Sequence, residues 1–367
     1  MEALILYGGS FDPIHNGHIR IAKAASLTLN ADVVFIPAKS PRFKTVTTLE
    51  EDRLNMLKIA LKEDGSSSFS ISLCELNRVG EQTKTIDTVR YFKQKYPNHK
   101  LYLLIGADQV NAFDRWIESD EIASLATPLY VTRSGVTLND ANLERFHMQR
   151  LPYDKAGRVS STSIRTLQSA DMPLGVRKYI EEHRLYALGH LAEMISPHRF
   201  AHSLSVGNLA YDIARANRLS DCQSAYLAGV LHDCAKAIKP DQALVLMQEQ
   251  WPSFASMPEW TFHQFLGAYL AKSEFGVEDE TILDAICFHA TGKAHMTPIG
   301  KIVYASDKID PLRSYDSSKL IDRCIKNYHE GFVTVLRANR DYLAENGYKV
   351  DNPFTLECMK QYLGGKR

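Results

Sequence analysis

Two histidines near the start of the chain have the spacing most suggestive of chemistry. His15 and His18 bracket Gly17 in a short turn. An apolar run over residues 3–7 comes before the turn and predicts a buried strand, and residues 19–25 have the apolar spacing of a helix. A strand, a glycine-containing turn and a helix together bring backbone N–H groups and the positive end of a helix to a phosphate. The pattern therefore predicts a phosphate-binding site.

A second polar cluster lies at residues 160–165. Four hydroxyl residues in a row, Ser160 to Ser163, come directly before Ile164 and Arg165. One Ser or Thr is enough to cap a helix. The additional hydroxyls and the guanidinium at a positive helix end are suited to binding a polyphosphate. Helix capping alone remains the alternative interpretation.

A third group of polar residues is distributed over the second half of the chain. An isolated histidine on an apolar helix is usually a core residue, but His232 and Asp233 follow the apolar run 226–231, where an unpaired carboxylate is costly to bury. Four histidines and two aspartates directed at one core would form a metal site with N and O ligands, favouring Fe, Mn, Co, Zn or Mg. The six candidates are His202, His232, Asp233, His263, His289 and Asp307.

The elements that must position these residues differ between the two halves. Up to about residue 187, strand-like and helical segments alternate, which predicts an α/β fold with a parallel sheet and helices on both faces. Ligands of such sheets bind at the carboxyl ends of the strands, where each motif of this half is found. From residue 196 onward only helical patterns occur, so we predict an all-α second domain. Residues 187–196 are predicted to be a short connection.

Composition narrows the class of protein. The 367 residues include 43 basic and 43 acidic side chains, and this zero net charge disfavours nucleic acid as a partner. The six cysteines contain no C-x-x-C pair, so neither a zinc ribbon nor a disulfide framework is indicated. No signal peptide and no membrane span are expected. We therefore predict a soluble, cytoplasmic protein without a membrane partner.

The first two motifs resemble those of the nucleotidyltransferase superfamily, which is marked by an H-x-G-H turn and an S-S-T-x-x-R helix start. Within it, residues 1–187 resemble bacterial nicotinate-nucleotide adenylyltransferase. The resemblance includes T-I-D-T at residues 85–88, G-A-D at 106–108 with Trp116 after it, and the closing segment 176–186. It implies transfer of AMP from ATP to nicotinate mononucleotide with release of pyrophosphate, aided by Mg²⁺ at the phosphates.

The resemblance also implies individual roles. His18 would donate to the α-phosphate and His15 would contact the triphosphate. Thr162 and Arg165 would hold the β- and γ-phosphates, and Lys44 would anchor the mononucleotide phosphate. Trp116 would stack on the pyridine ring, while backbone near Thr85 and Arg133 would bind the ring carboxylate. The other nucleotide-binding residues implied in this half are Gly8, Gly9, Ser10, Phe11, Gly106, Asp108 and Ser161.

Two departures from that family lie near the expected pyridine pocket. The segment 80–84 is longer and more polar than usual, and Ser134 follows Arg133 where the family usually has proline. The choice between nicotinate and nicotinamide mononucleotide therefore stays open. Within the superfamily, the alternative is pantetheine-phosphate adenylyltransferase, which tends to carry threonine at the position of His15.

The second half resembles the HD phosphohydrolase superfamily, and within it the YqeK-like branch. The matching segments are residues 199–204, 227–236, 288–292 and 304–311. That branch is similar to symmetrical diadenosine tetraphosphate hydrolases with a two-metal centre, for which iron is expected. The second domain is therefore assigned to residues 188–367, and dinucleoside polyphosphates are its expected substrates.

The HD resemblance also implies how the metals are shared. One metal would be held by His202, His232, Asp233 and Asp307. His263 and His289 would hold the second metal, with Asp233 bridging the two. Lys236 and Arg313 would bind the polyphosphate. Two alternatives remain open for this half: a nucleotide-sensing module that regulates the first domain, and hydrolysis of a mononucleotide or cyclic nucleotide.

Overall fold

The computed structural model describes residues 2–39, 48–78, 84–132, 135–153 and 159–364. The predicted phosphate anchor Lys44 and the predicted pocket residue Arg133 lie outside these ranges. The chain divides into two compact units. The first contains Met1–Ile164 and Asp171–Glu182, and the second contains Arg165–Ala170 and His183–Arg367.

The first unit is built on a parallel sheet. Its strands in the described residues are β1 (Ala3–Gly9), β2 (Asp32–Pro37), β3 (Phe69–Ile71), β4 (Lys100–Gly106), β5 (Thr127–Val131) and β6 (Gln149–Arg150). Their order across the sheet is β3-β2-β1-β4-β5-β6, and every pair is parallel. The predicted parallel α/β fold is confirmed, and the two-residue strand β6 was not predicted from the sequence.

Both faces of this sheet are buried. Ile5 and Leu6 point to opposite faces of β1, and each has no exposed surface. Leu6 belongs to a core that also includes Phe92 and Phe113. Burial on both faces explains why the strands are continuous apolar runs rather than alternating ones.

Helices follow the strands in the order expected for this fold. Those before residue 187 are α1 (Asn16–Leu29), α2 (Glu50–Asp64), α3 (Thr85–Lys95), α4 (Ala107–Val110), α5 (Ser119–Leu125), α6 (Asp140–Arg145), α7 (Ser161–Arg165) and α8 (Leu174–Glu182). Helix α7 begins at Ser161, three residues earlier than the helix predicted at Ile164.

The register of β1 and β4 brings two glycines to one edge of the sheet. Leu6 pairs with Leu103, so Gly9 and Gly106 each lie three residues beyond the same pair. Chain connections leave the sheet in opposite directions from β1 and β4, and the crevice between two such strands is where open α/β sheets bind ligands.

The second unit is helical throughout the residues described. Its helices are α9 (Ala187–Met194), α10 (Pro197–Ala216), α11 (Cys222–Leu231), α12 (Pro240–Gln250), α13 (Phe262–Ser273), α14 (Glu280–Cys287), α15 (Pro298–Lys308), α16 (Ser318–Lys326), α17 (Tyr328–Glu345) and α18 (Pro353–Leu363). The prediction of an all-α second part is confirmed.

The prediction of a simple connection over residues 187–196 is wrong. Residues Ala187–Met194 form helix α9, which buries Leu188 and Leu191. These two leucines are three residues apart, a helical spacing that one short segment containing a glycine does not reveal. None of the described helices is both long and apolar enough to cross a lipid bilayer.

Helices α10 and α11 cross at a pair of glycines. A Cβ atom on Gly229 would lie 2.7 Å from Cα and 2.9 Å from N of Gly207. Only glycine allows backbones to approach this closely. The crossing lets His202 on α10 and His232 after α11 meet with ring centroids 5.1 Å apart.

Candidate functional site

The turn after β1 holds His15 and His18 against each other. Their ring centroids are 3.7 Å apart, and the backbone N–H of His15 donates to Nδ1 of His18 at 3.2 Å. Since Nδ1 of His18 accepts this hydrogen bond, the neutral ring carries its proton on Nε2. His18 therefore presents an N–H donor in the first turn of α1, where the helix end is positive.

Gly17 is required by the packing of this turn. A Cβ atom there would lie 2.9 Å from Cε1 and Nδ1 of His15 and 2.9 Å from a methyl group of Val159. Any larger residue would displace the His15 ring, which is 3% exposed. The glycine between the two histidines is thus explained by close packing and not by an unusual backbone angle.

The two predicted phosphate motifs meet in the first unit. Ser161 Oγ donates to the carbonyl oxygen of Pro13 at 2.9 Å, which connects the start of α7 to the histidine turn. Ser160 and Ser163 form a reciprocal cap in which the N–H of each donates to the hydroxyl oxygen of the other at 3.0 Å. The hydroxyl run therefore includes two capping residues and one that joins the motifs.

Two further side chains, Asp171 and the buried Arg53, hold the residues of the same turn through hydrogen bonds. Asp171 accepts hydrogen bonds from Asn16 at 2.9 Å and from Arg20 at 2.7 Å. Burial alone would raise the pKa of Asp171, but these hydrogen bonds outweigh it and hold the pKa below its ordinary value. Arg53 is 1% exposed and donates to the carbonyl of Ser10 at 2.7 Å. Neither Asp171 nor Arg53 was predicted from the sequence, because each is distant from the turn in the chain.

The predicted pyridine-side residues lie at the end of β4, in the segment that follows it and at the start of α3. Gly106 ends β4, and a Cβ atom there would lie 2.9 Å from a carboxylate oxygen of Asp108. Trp116 packs against Phe113 with ring centroids 5.0 Å apart and is partly buried. Thr85 is the first residue of α3.

Three histidines of the second unit share one hydrogen-bonding pattern. In each ring, Nδ1 lies 2.7–2.8 Å from the carbonyl oxygen three residues earlier: Gly229 for His232, Trp260 for His263 and Ile286 for His289. A carbonyl only accepts hydrogen bonds, so each Nδ1 carries the proton and each Nε2 presents a lone pair. A metal-ligating histidine typically donates the N–H of its other ring nitrogen to a carbonyl or carboxylate in this way.

These lone pairs face carboxylate oxygens. Nε2 of His263 and of His289 lie 3.6 and 3.7 Å from Oδ1 of Asp233. Nε2 of His232 lies 3.8 Å from Asp233 and 3.7 Å from Asp307. Acceptors facing acceptors repel unless a cation lies between them. Nε2 of His232 is buried and has no hydrogen-bond partner among the described residues, so the residues present fit a bound metal ion.

His202 completes the cluster in a different way. Its Nδ1 donates to Asp310 at 2.5 Å, and its Nε2 lies 3.3 Å from Asp307. Asp310 also accepts from Ser205 Oγ at 2.5 Å. Asp310 lies in the segment 304–311 that resembles the HD superfamily, but no role was predicted for it. The sequence does not indicate that a carboxylate 108 residues away orients His202. All six predicted ligands fall in three overlapping groups whose ligand atoms lie within 4.8 Å of one another.

Burial and charge set the protonation of the cluster. Burial lowers the pKa of His232 to about 4, so its ring is neutral near pH 7. Burial would raise the pKa of both Asp233 and Asp307. His232 and the other histidines outweigh burial at Asp233 and hold its pKa below the ordinary range. Lys308, together with the histidines, does the same for the pKa of Asp307. Burial would also lower the pKa of His202, but hydrogen bonds to Asp307 and to a second carboxylate outweigh this effect and raise that pKa to about 9. His232 and the two carboxylates are thus in the forms that bind cations, whereas His202 must release a proton to do so.

A cavity of about 1150 Å³ opens onto the cluster. The predicted polyphosphate residues Lys236 and Arg313 both line it. Lys236 Nζ lies 3.1 Å from Nδ1 and 3.3 Å from Nε2 of His263. Arg313 donates to Asp307 at 2.8 Å. Arg199, to which no role was given from the sequence, donates to Asp233 at 2.6 Å and lines the same cavity. The structure therefore brings cationic side chains and candidate metal ligands to one cavity.

Comparisons with known proteins match both parts. Residues 6–167 match the cytidylyltransferase-like family, and residues 199–312 match the HD domain family. A protein of Mycoplasma genitalium named "Probable nicotinate-nucleotide adenylyltransferase/Ap4A hydrolase" is 33% identical over 86% of this chain and 89% of its own length. A Mycoplasma pneumoniae protein of the same name is 30% identical over 85% and 90%. This chain belongs to their family.

The two-part family contrasts with relatives that match only the first part. The nicotinate-nucleotide adenylyltransferase of Bacillus subtilis is 33% identical over 51% of this chain and 99% of its own length. The resemblance of the first half to nucleotidyltransferases and of the second half to HD hydrolases is confirmed. The chain is thus a member of the nicotinate-nucleotide adenylyltransferase/Ap4A hydrolase family.

Proposed function

We propose that the first part transfers AMP from ATP to nicotinate mononucleotide, giving nicotinate adenine dinucleotide and pyrophosphate. The observation that carries this proposal is the Nε2–H of His18 at the N-terminus of α1, held in that tautomer by the His15 backbone. The attacking group is already a phosphate, so the reaction needs anions held in line and stabilisation of added charge more than a strong base.

Individual roles follow the same proposal. His18 donates to the α-phosphate, and His15 contacts the triphosphate. Thr162 and Arg165 hold the β- and γ-phosphates, which Mg²⁺ neutralises in part. Lys44 anchors the mononucleotide phosphate. Trp116 stacks on the pyridine ring, and backbone near Thr85 and Arg133 binds its carboxylate. Support for Trp116 comes from its position in the segment that follows β4, partly buried beside Phe113.

For the second part we propose metal-dependent hydrolysis of diadenosine tetraphosphate to ADP. The observation that carries this proposal is the buried Nε2 of His232, which lies between two carboxylates and has no hydrogen-bond partner in the part of the chain that the structure describes. His202, His232, Asp233 and Asp307 would hold one metal. His263 and His289 would hold the second with Asp233 shared, and iron is the metal we expect. Two cations at this position would acidify a water molecule for attack on phosphorus.

The chain's own residues bind and orient the substrate in this proposal. Lys236, Arg199 and Arg313 line the cavity and supply positive charge for the phosphates. The carbonyls of Gly229, Trp260 and Ile286 fix the histidine tautomers. A complete set of six ligands favours hydrolysis over a purely regulatory role, because a nucleotide sensor has no need of every ligand.

One experiment tests both proposals. Purified protein is incubated with ATP and nicotinate mononucleotide, and separately with diadenosine tetraphosphate, and the products are resolved by chromatography. We expect nicotinate adenine dinucleotide with pyrophosphate in the first reaction and ADP in the second. Nicotinamide mononucleotide, a mononucleotide and a cyclic nucleotide serve as competing substrates. Faster turnover of any of these would reassign the corresponding site.

We assign the adenylyltransferase to residues 1–187 and the hydrolase to residues 188–367 as part of the same proposal. We also propose that the protein is cytoplasmic. Its six cysteines are all free thiols, which supports this location.

A further inference from the structure

Two exposed aromatic side chains line the cavity beside the metal-ligand cluster. Trp260 is 53% exposed and Tyr315 is 48% exposed. Neither belongs to the core of the second unit, and neither has a role in the chemistry proposed above. The positions of these two side chains along the cluster of candidate metal ligands indicate which part of a substrate each could contact.

The contacts among the ligands form a chain with two ends. His263 lies beside Asp233, Asp233 beside His232, and His232 beside Asp307. Asp307 then lies beside His202, which contacts Asp310. His263 therefore marks one end of the cluster, and Asp307 with Asp310 marks the other.

Each end carries one of the aromatic residues. The carbonyl of Trp260 accepts from His263 at 2.8 Å. At the other end, the hydroxyl of Tyr315 donates to the carbonyl of Lys308, the residue after Asp307. Each end also carries a cation, because Lys236 lies 3.1 Å from His263 and Arg313 donates to Asp307 at 2.8 Å. An aromatic ring and a cation thus occur at both ends.

We propose that Trp260 and Tyr315 are two stacking platforms, one for each base of a dinucleoside polyphosphate whose phosphate chain crosses the metal-ligand cluster. This inference rests on the hydrolase function proposed above and names the residues that select its substrate. Aromatic side chains bind bases of any sequence because every base has a π-face. A ligand with one base would leave one platform uncovered.

The size of the cavity agrees with a two-base ligand. Its volume of about 1150 Å³ exceeds the roughly 300–1,000 Å³ of ordinary small-molecule pockets. Lys236 and Arg313 supply positive charge for phosphate at the two ends of the cluster, and Trp260 and Tyr315 line the same cavity. A mononucleotide requires only a part of this space.

The test compares Trp260→Ala and Tyr315→Ala in the full-length, metal-loaded protein. We expect each to raise KM for diadenosine tetraphosphate by about 5- to 100-fold, with kcat changed by no more than about twofold, because stacking contributes equally to ground and transition states. Trp260→Phe and Tyr315→Phe keep a ring and should restore KM. Tyr348→Ala, at a 61% exposed tyrosine outside the cavity, is the matched control.

A one-base probe separates the two platforms. With adenosine 5′-tetraphosphate, only one of the two alanine substitutions should raise KM. If KM for diadenosine tetraphosphate is unchanged in both alanine variants while wild-type protein still cleaves this substrate, the stacking platforms are contradicted and the hydrolase function is not. Wild-type protein that does not cleave this substrate would instead contradict the hydrolase function itself.

A binding measurement independent of turnover completes the test. The diadenosine tetraphosphate analogue with a methylene group in place of the central bridging oxygen is titrated into the protein while tryptophan fluorescence is followed. Stacking on Trp260 should quench the emission, and Trp260→Phe should remove that quenching while affinity, measured by calorimetry, stays within about threefold of wild type. Equal quenching in the variant would place the base elsewhere.

Discussion

Single backbone carbonyls determine the chemistry of the histidines in the second unit. His232, His263 and His289 each donate Nδ1–H to the carbonyl three residues earlier. The tautomer that binds a cation is therefore present before any cation arrives. In the first unit, the His15 N–H fixes the tautomer of His18 with the opposite result, because Nδ1 accepts there and Nε2 carries the proton.

The first residue-scale prediction concerns His18. His18→Ala should lower the turnover of adenylyl transfer by roughly 10²- to 10³-fold, because one preorganised donor to the transition state is lost. His18→Gln keeps an N–H donor near the position of Nε2 and should lose less. Turnover is measured by release of pyrophosphate. Hydrolase activity and melting temperature serve as controls for folding, and near-wild-type turnover of His18→Ala would remove His18 from the mechanism.

The second residue-scale prediction concerns Asp310, which positions His202 without being one of the six ligands. Asp310→Asn should weaken metal binding by roughly 10- to 100-fold, the usual effect of removing an outer partner of a ligating histidine. Ser205→Ala removes only a hydrogen bond to Asp310 and should have a smaller effect. Metal affinity is measured by competition with a chelator. An unchanged affinity in Asp310→Asn would show that His202 needs no such partner.

At the scale of helices, the crossing of α10 and α11 determines whether the candidate metal ligands His202 and His232 meet. Gly229→Ala would place a methyl group 2.7 Å from Cα of Gly207. Overpacking of this kind costs about 1–3 kcal/mol, and separation of the helices would also move His202 from His232. We expect a lower midpoint of urea unfolding together with reduced metal content.

The control for this prediction is Gln248→Ala, a change at an exposed position of α12. It should alter neither stability nor metal content. If Gly229→Ala behaves in the same way, the close approach of the two helices is not needed to form the cluster.

The sequence predicted elements better than it predicted the contacts between them. The alternation of strands and helices, the six candidate ligands that cluster and the helical second half all follow from local patterns and motifs. Helix α9 was missed because its eight residues include only two buried leucines. Asp171, Arg53 and Asp310 were missed for another reason. Each acts through a hydrogen bond to a residue more than 40 positions away, and no local pattern encodes such a partner.

At the scale of the whole molecule, we expect the two proposed activities to be independent, because each half of the chain has its own core. Asp233→Ala should remove both metals, because Asp233 is the ligand proposed to be shared, and should abolish hydrolysis of diadenosine tetraphosphate. Adenylyl transfer should remain at the wild-type rate. The measurements are elemental analysis and both assays on one preparation.

Two other results of this experiment would be informative. Two retained equivalents of metal would contradict the shared role of Asp233. Loss of both activities in a folded protein would show that the units are coupled and would favour the regulatory alternative for the second part.

The hydrogen bond from Ser161 to Pro13 also has a consequence for synthesis on the ribosome. Its two residues are 148 positions apart, and Asp171 reaches back 155 positions to Asn16. The histidine turn is therefore made first but remains incomplete until residue 171 has been translated. At about 5–20 residues per second, that is a delay of roughly 8–31 s. During this interval the nascent chain has its phosphate turn without the second motif, so bound nucleotide can stabilise the first unit only after most of it has emerged.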